Sequence, residues 1–190
     1  FGFKRKRHSR RKSKIKKALM SPIINLDTNL VCPDDGLPNV WAPDVKCRAL
    51  TTKEIEEYVE AYAQCALLCK NAGVDGVEVH AVHEGYLLDQ FAIEFFNKRT
   101  DEYGGSFENR YRFAAEVVKA IKEACGNDYP VSLRYSVESK MKGFCEGAMP
   151  DEDYVEVGRN MEESEKAAKY LQDMGYDMLN ADNGTYDSWY

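Results

Sequence analysis

Helix-like and strand-like segments alternate along most of this 190-residue chain, which leaves few architectures open. From Ile55 to Leu67 apolar residues recur every three or four positions, after the hydroxyl pair Thr51-Thr52 and before Gly73. This spacing predicts an amphipathic helix with a capped start and a glycine stop. Two more helices are predicted at 108–124 and 161–174. Short segments typical of strands follow the three helices, at 74–80, 129–135 and 176–180.

This order is typical of a parallel sheet whose strands are joined by helices. Repeating units of about 45 residues with long strand-to-helix loops favour a (β/α)8 barrel over a dinucleotide-binding sheet. No GxGxxG motif follows any of the strands, which disfavours the dinucleotide-binding sheet further. Three strands, or four if 22–26 forms one, cannot close an eight-stranded barrel. We therefore expect an α/β chain whose residues 21–190 form a partial (β/α)8 TIM barrel, about half of the whole.

The basic residues are concentrated at one end of the chain. Ten of the 26 Lys and Arg residues, and none of the 32 acidic residues, lie in residues 1–17. A run of like charges is most often a solvated segment, so we expect residues 1–20 to form a flexible basic arm. Binding of nucleic acid by this arm is the alternative, although we do not expect nucleic acid as a partner.

Residues 19–50 contain four of the six prolines and show no periodicity, which predicts a long connection. No apolar run reaches the roughly 20 residues that cross a membrane, and the basic first residues are not followed by an apolar run, so we expect no secretory signal. The six cysteines form no CxxC motif, so we predict packing thiols in a cytoplasmic protein and no metal site. Because the first residue is Phe1, we expect a processed chain or part of a longer one.

In a parallel barrel the active site gathers at the carboxyl ends of the strands. The first strand is followed by His80, His83 and Tyr86, three positions apart. Neutral imidazoles can donate hydrogen bonds to a carbonyl oxygen, and a phenol can deliver a proton. A purely structural role is equally open. A metal site is another alternative, with a neighbouring acid as a further ligand: Glu78, Glu84 or Asp89.

Arg134 ends the second strand. A buried guanidinium is costly unless it meets an anion, so Arg134 indicates a phosphate, a carboxylate or an electron-rich ring. The alternative is an internal ion pair with Glu78 on the neighbouring strand. By position alone, four polar residues after the third strand are candidates for lining a substrate pocket: Asn180, Asp182, Asn183 and Tyr186.

The segment Asp75–Phe91, DGVEVHAVHEGYLLDQF, is followed by NKRTDEYGGSFENR at 97–110 and by Arg112-Phe113. This combination closely resembles the old yellow enzyme family of flavin-dependent ene reductases. The form HAVHEGYLLDQF is most similar to the anaerobic enoate reductase branch, which includes the NADH-dependent bile acid 3-oxo-Δ4 reductases. The resemblance covers roughly residues 37–190.

The resemblance implies a (β/α)8 barrel with FMN at the strand ends, and reduction of the activated C=C bond of an α,β-unsaturated carbonyl compound or enoate by NAD(P)H. In the enoate reductase branch a 4Fe-4S segment and an FAD and NAD(P)H domain follow the barrel. These cofactors are implied only for a longer parent chain. The alternative is that the chain is an inactive gene fragment.

The resemblance also implies roles for individual residues. His80 and His83 match the pair that hydrogen-bonds the substrate carbonyl oxygen, and Tyr86 matches the tyrosine that protonates the α-carbon. Glu84 is an extra residue in this motif, and it shifts Tyr86 relative to the histidines. Arg134 matches the strand-end arginine beside the flavin N1–C2 carbonyl edge, where a fixed positive charge stabilises the reduced cofactor.

The segment 97–112 is expected to be structural rather than catalytic. Tyr103-Gly104-Gly105 predicts a turn, and Ser106 predicts the cap of the next helix. Three arginines of this segment are expected to pair with three nearby acids: Arg99, Arg110 and Arg112 with Asp101, Glu102 and Glu108.

Overall fold

The computed structural model describes residues 30–39, 42–83 and 87–184. The predicted basic arm at 1–20 and the possible strand at 22–26 lie outside these ranges, so the proposed division at residue 21 stays a prediction. In chain order the elements are β1 (Val31–Cys32), β2 (Pro38–Asn39), β3 (Ala42–Lys46), β4 (Arg48–Ala49), α1 (Thr52–Asn71), β5 (Val77–Ala81), α2 (Leu87–Ala92), α3 (Phe107–Cys125), β6 (Val131–Ser136), β7 (Met141–Gly143), β8 (Glu146–Gly147), α4 (Met161–Met174) and β9 (Met178–Asp182).

The three long helices begin at side-chain caps. Thr51 and Glu54 form a reciprocal capping box at the start of α1, in which each side chain accepts a hydrogen bond from the other residue's backbone N–H. Ser106 caps α3 and Asn160 caps α4, and each side chain accepts a backbone N–H three residues ahead. The capped starts of α1 and α3 confirm the sequence prediction, and α4 has the predicted bounds.

Strands β5, β6 and β9 form a parallel sheet in the order β5-β6-β9. Val79 is in register with Leu133, which is in register with Leu179. The predicted helix and strand order is therefore confirmed. Each strand begins two or three residues later than predicted. Strand β6 begins after Pro130, because proline has no backbone N–H to donate to a neighbouring strand. The Pro130 carbonyl accepts a hydrogen bond from the Val77 N–H at the start of β5.

Successive side chains of a strand point to opposite faces of the sheet. On one face, Val79, Leu133 and Tyr135 are buried in a hydrophobic core. The helices supply the rest of this core, including the fully buried Phe113 of α3 and Leu171 of α4. Burying side chains of this size contributes roughly 1.5–3 kcal/mol each, so this face holds the helices to the sheet.

Several short elements differ from the sequence prediction. In the described part of 19–50, β1 pairs with β4 and β2 pairs with β3, where a connection was predicted. The segment after β5 contains the helix α2, in which Leu88, Asp89 and Phe91 are buried, within what was predicted as a long strand-to-helix loop. The loop after β6 contains the hairpin of β7 and β8. Elements of two to six residues are too short to show a periodic pattern.

Side chains of the segment 97–112 form hydrogen bonds and ion pairs that have a structural role. The Asn97 side chain donates to the carbonyls of Phe91 and Tyr103, both at 2.7 Å. Arg99 pairs with Asp101 as predicted. The other two predicted pairs are wrong. Arg110 pairs with Glu163 across α3 and α4, and Arg112 binds the backbone carbonyl of Glu102 instead of an acid.

Within the described ranges, no helix combines the length and apolar character needed to cross a membrane.

Candidate active site

The sheet brings three of the candidate side chains into one row. His80 of β5 is in register with Arg134 of β6, and Arg134 is in register with Asn180 of β9. Because side chains alternate along a strand, these residues share the face opposite the helices. That face is polar, and Arg134 is 39% exposed there. The two site residues predicted on separate strands, His80 and Arg134, are therefore neighbours.

Arg134 has an anionic partner, but not the one considered from the sequence. Its Nη2 donates a hydrogen bond to Oδ2 of Asp182 at the end of β9. Glu78 instead accepts hydrogen bonds from Ser132 Oγ at 3.0 Å and from Asn180 Nδ2 at 3.2 Å. The suggested Arg134–Glu78 ion pair is therefore wrong. Glu78 is in register with Ser132, two residues before Arg134, whereas Asp182 lies on the other neighbouring strand.

His80 and His83 lie close together at the end of β5. Their ring centroids are 6.1 Å apart and the rings are nearly perpendicular, at 86°. His83 has a positive φ of 60°, a conformation that L residues adopt rarely. It is buried, and its Nε2 lies 3.7 Å from Asp182 Oδ2. His80 is half-buried, so it is the more accessible imidazole of the pair.

The surroundings of these groups set their charge states. Burial lowers the pKa of His80, and the positive charge of Arg134 lowers it further. His80 is therefore a neutral imidazole near pH 7, with one N–H that can donate. Burial opposes ionisation of Asp182, but hydrogen bonds from the Asn183 N–H and from Arg134 outweigh it and lower the pKa of Asp182. The site thus pairs an ionised carboxylate with a guanidinium beside two imidazoles.

Tyr86 and the inserted Glu84 lie outside the described residues, as does Tyr186. The role of Tyr86 therefore stays a prediction. Among the residues that the structure describes, no group of three or more His, Cys, Asp and Glu side chains is arranged to hold a metal ion.

Sequence reasoning missed one part of this region. Asp89 of α2, considered only as a metal ligand, forms a buried ion pair with Arg159, 70 residues later. Neither the pairing nor the burial has a local signature in the sequence. Asp182 was singled out by position only, and its acidic side chain at a strand end was the one available signal.

Comparison with known proteins places this geometry in context. Residues 16–185 match the profile of the NADH:flavin oxidoreductase / NADH oxidase family. The cinnamate reductase of Clostridium sporogenes is 61% identical over 154 residues, which is 81% of this chain and 23% of that protein.

Two solved structures are similar to this chain in both fold and sequence. A complex of 2-naphthoyl-CoA reductase with 2-naphthoyl-CoA matches with a TM-score of 0.69 and 31% identity, over 84% of this chain and 22% of that one. Morphinone reductase in complex with tetrahydroNAD matches with a TM-score of 0.61 and 32% identity, over 80% of this chain and 42% of that one.

The chain thus spans 23% of the cinnamate reductase and less than half of either structure, at 22% and 42%. The parallel sheet with its helices is part of a (β/α)8 barrel, which confirms the predicted partial barrel. By the match over residues 16–185 and the identity with these reductases, the chain belongs to the NADH:flavin oxidoreductase / NADH oxidase family.

Proposed function

We propose that the protein uses FMN and NAD(P)H to reduce the activated C=C bond of an α,β-unsaturated carbonyl compound or enoate. One observation carries this proposal: the neutral imidazole of His80 lies in register with the exposed guanidinium of Arg134 at the strand ends. This arrangement combines a hydrogen-bond donor for a carbonyl oxygen with a fixed positive charge for a cofactor. Membership in a flavin oxidoreductase family supports it.

The side chains present fit an FMN ring. Only Nη2 of Arg134 is engaged in the described bond to Asp182, and the side chain is 39% exposed. The other N–H groups of its guanidinium can therefore reach the electron-rich N1–C2 carbonyl edge of the ring. When bound, FMN supplies the hydride chemistry that protein side chains lack.

His80 and His83 would bind and polarise the substrate. A hydrogen bond to the carbonyl oxygen draws electron density from the conjugated alkene, which makes the β-carbon electrophilic. The lowered pKa of His80 favours the neutral form, in which the ring carries one N–H donor. Asp182, 3.7 Å from His83 Nε2, would hold the second ring in position.

Tyr86 would deliver the proton to the α-carbon, which completes addition of hydrogen across the double bond. The inserted Glu84 changes the spacing between this tyrosine and the histidines. Because phenylalanine has no hydroxyl proton to deliver, Tyr86→Phe is expected to lower kcat while substrate binding is retained.

The similarity to cinnamate reductase favours an enoate, that is, an unsaturated acid, as the substrate class. A tetrahydroNAD complex of morphinone reductase supports NAD(P)H as the electron donor. A 4Fe-4S cluster, FAD and a cytoplasmic location stay predictions.

The first test is an anaerobic visible absorption spectrum of this chain and of the longer parent protein, both as purified. Flavin bands are expected in the parent protein. Titration with a phenol then reports the carbonyl site through a charge-transfer band. His80→Ala is expected to weaken phenol binding at least tenfold, equal to about 1.4 kcal/mol, with FMN retained. His80→Gln keeps an N–H donor and serves as the matched control, with a smaller loss. Unchanged phenol affinity in His80→Ala would remove His80 from the site, and absence of flavin from the parent protein would remove the redox function.

A further inference from the structure

Arg159 is a buried arginine that lies one residue before the cap of α4. Its side chain is 2% exposed, and each of its three nitrogens donates a hydrogen bond. Nη1 donates to the carbonyl of Ser136 at 2.6 Å, Nη2 to Asp89 Oδ1 at 3.0 Å, and Nε to the hydroxyl of Tyr111 at 2.7 Å. The guanidinium thus joins three different elements: β6, α2 and α3.

Two aromatic rings lie close to this guanidinium. Its central carbon lies 5.6 Å from the ring centroids of both Tyr111 and Tyr135. The backbone N–H of Arg159 donates to Ser139 Oγ at 2.9 Å, and Tyr111 in turn donates to Glu163 Oε1 at 3.1 Å. A side chain held by directional bonds at both its head and its backbone has one orientation.

Stability alone does not account for this arrangement. A buried ion pair such as Asp89–Arg159, with both side chains 2% exposed, is expensive to desolvate. Apolar replacements of similar volume are often neutral or stabilising. What an apolar side chain cannot provide is the planar fork of donors, which sets distances and angles between its partners.

The partners of Arg159 are the segments that carry the proposed catalytic groups. Ser136 ends β6, two residues after Arg134. Asp89 lies in the first turn of α2, six residues after His83. Burial raises the pKa of Asp89, while the charge of Arg159 and its hydrogen bond act against this rise.

We propose that Arg159 is a positioning residue that sets the placement of the His80–His83 segment relative to the Arg134 end of β6. It does so through its simultaneous bonds to Asp89 and to the Ser136 carbonyl. Because it is buried, it acts through these segments and does not touch the substrate. This inference rests on the proposed function of His80, His83 and Arg134.

The test uses the FMN-saturated parent protein, with each substitution made at the position numbered here, and phenol as the probe. Arg159→Met removes the fork but keeps a long apolar side chain. Arg159→Lys keeps the charge opposite Asp89 but not the planar geometry. Val118→Ala is the control, because Val118 is fully buried in the core beneath the opposite end of the sheet, next to Gly175. Thermal midpoints, phenol affinity and the wavelength of the charge-transfer band are measured for all three variants.

Arg159→Met is expected to weaken phenol binding more than tenfold, to shift the charge-transfer band and to raise KM more than it lowers kcat. Arg159→Lys is expected to have a phenol affinity, a charge-transfer band and a KM between those of Arg159→Met and the wild type. Val118→Ala is expected to lower the thermal midpoint while phenol affinity stays within twofold. If Arg159→Met does not fold, the phenol affinities of Arg159→Lys and Val118→Ala are compared, and a loss in Arg159→Lys alone supports the positioning role.

Phenol affinity within twofold of wild type in the Arg159 variants would overturn the positioning role. So would an equal loss in Val118→Ala at a matched thermal midpoint. Failure of the proposed function has a different signature, because the wild-type protein would then bind no FMN, or His80→Ala would leave phenol affinity unchanged.

Discussion

Asp182 Oδ2 accepts a hydrogen bond from Arg134 Nη2, across the two neighbouring strands β6 and β9. The carboxylate therefore balances part of the positive charge that the site presents to a ligand. The same oxygen lies 3.7 Å from His83 Nε2, so one acid is shared by the two functional positions. Asp182 therefore sets part of the electrostatic potential around Arg134, and a change at Asp182 can alter this potential while Arg134 is kept.

Asp182→Asn is expected to raise the reduction potential of bound FMN by about 20–30 mV, near 1 kcal/mol for a two-electron couple. Loss of the Asp182 charge makes the electrostatic potential at the cofactor more positive, which favours the reduced, anionic form. Dye-coupled anaerobic titration measures the potential. Glu78→Gln is the control, since Glu78 is a carboxylate on the same face that bonds Ser132 and Asn180 rather than Arg134. A potential that falls, or equal shifts in both variants, would contradict the assignment.

His80 should make stability depend on pH in one direction. Its pKa is lowered in the folded state by burial and by the charge of Arg134, so the unfolded state binds more protons below about pH 6.5. The wild-type protein should therefore lose stability relative to His80→Gln as pH falls from 7.5 to 5. Thermal midpoints of the two proteins at each pH measure the difference. A difference that is constant, or that grows in the opposite direction, would show that His80 is not held neutral.

Glu54 should contribute stability that depends on its ionisation. The hydrogen bond from Arg48 is the largest cause that lowers the pKa of Glu54 to about 2, followed by bonds from Thr51. A lowered carboxyl pKa gives stability that is present above the unfolded value and is lost as pH falls toward the folded one. Glu54→Gln should therefore have a lower thermal midpoint at pH 7, and the gap should narrow from about pH 4.5 down to pH 3.

The control for this prediction is Glu57→Gln, because Glu57 is exposed on the same helix and lies 3.9 Å from Lys53. It should change the midpoint little at any pH, as exposed pairs contribute little. If the two variants behave alike, the ionised Glu54 carboxylate does not stabilise the fold.

Gly104→Ala is expected to destabilise the fold by about 3 kcal/mol. A Cβ atom at Gly104 would lie only 2.2 Å from the Arg99 carbonyl oxygen, and backbone cannot move aside easily. Gly105→Ala is the matched control. It has open space and only the cost of its positive φ of 80°, about 1 kcal/mol. Urea unfolding of both variants measures the difference, and equal losses would show that the close approach to Arg99 is not limiting.

Local signals predicted the helices well. Thr51 and Ser106 are capping residues whose effect is confined to the next turn, and Gly175 ends α4 through its own backbone freedom. The strands were identified, but their starts were placed early, because Val74 and Tyr129 have strand-like side chains yet precede the ladder. Hydrophobicity indicates the environment that a side chain prefers, but it does not indicate which backbone carbonyl accepts a hydrogen bond from that residue.

The sequence predicted individual residues of the candidate site but not which residues they contact. His80 and Arg134 were found as polar residues at strand ends, and the structure makes them neighbours. The partner of Arg134 was misassigned, because the choice between Glu78 and Asp182 depends on strand register. Register is fixed by packing among all the helices and strands, so no local stretch of sequence contains it.

The alternation of side chains along β6 has a consequence for chain length. Tyr135 faces the core and Arg134 faces the open side of the sheet. Deletion of one residue from 131–133 would exchange these two directions, with the guanidinium turned into the apolar interior and the phenol turned out. An insertion or deletion there would be more damaging than most substitutions, so the number of residues before Arg134 is constrained as tightly as its identity.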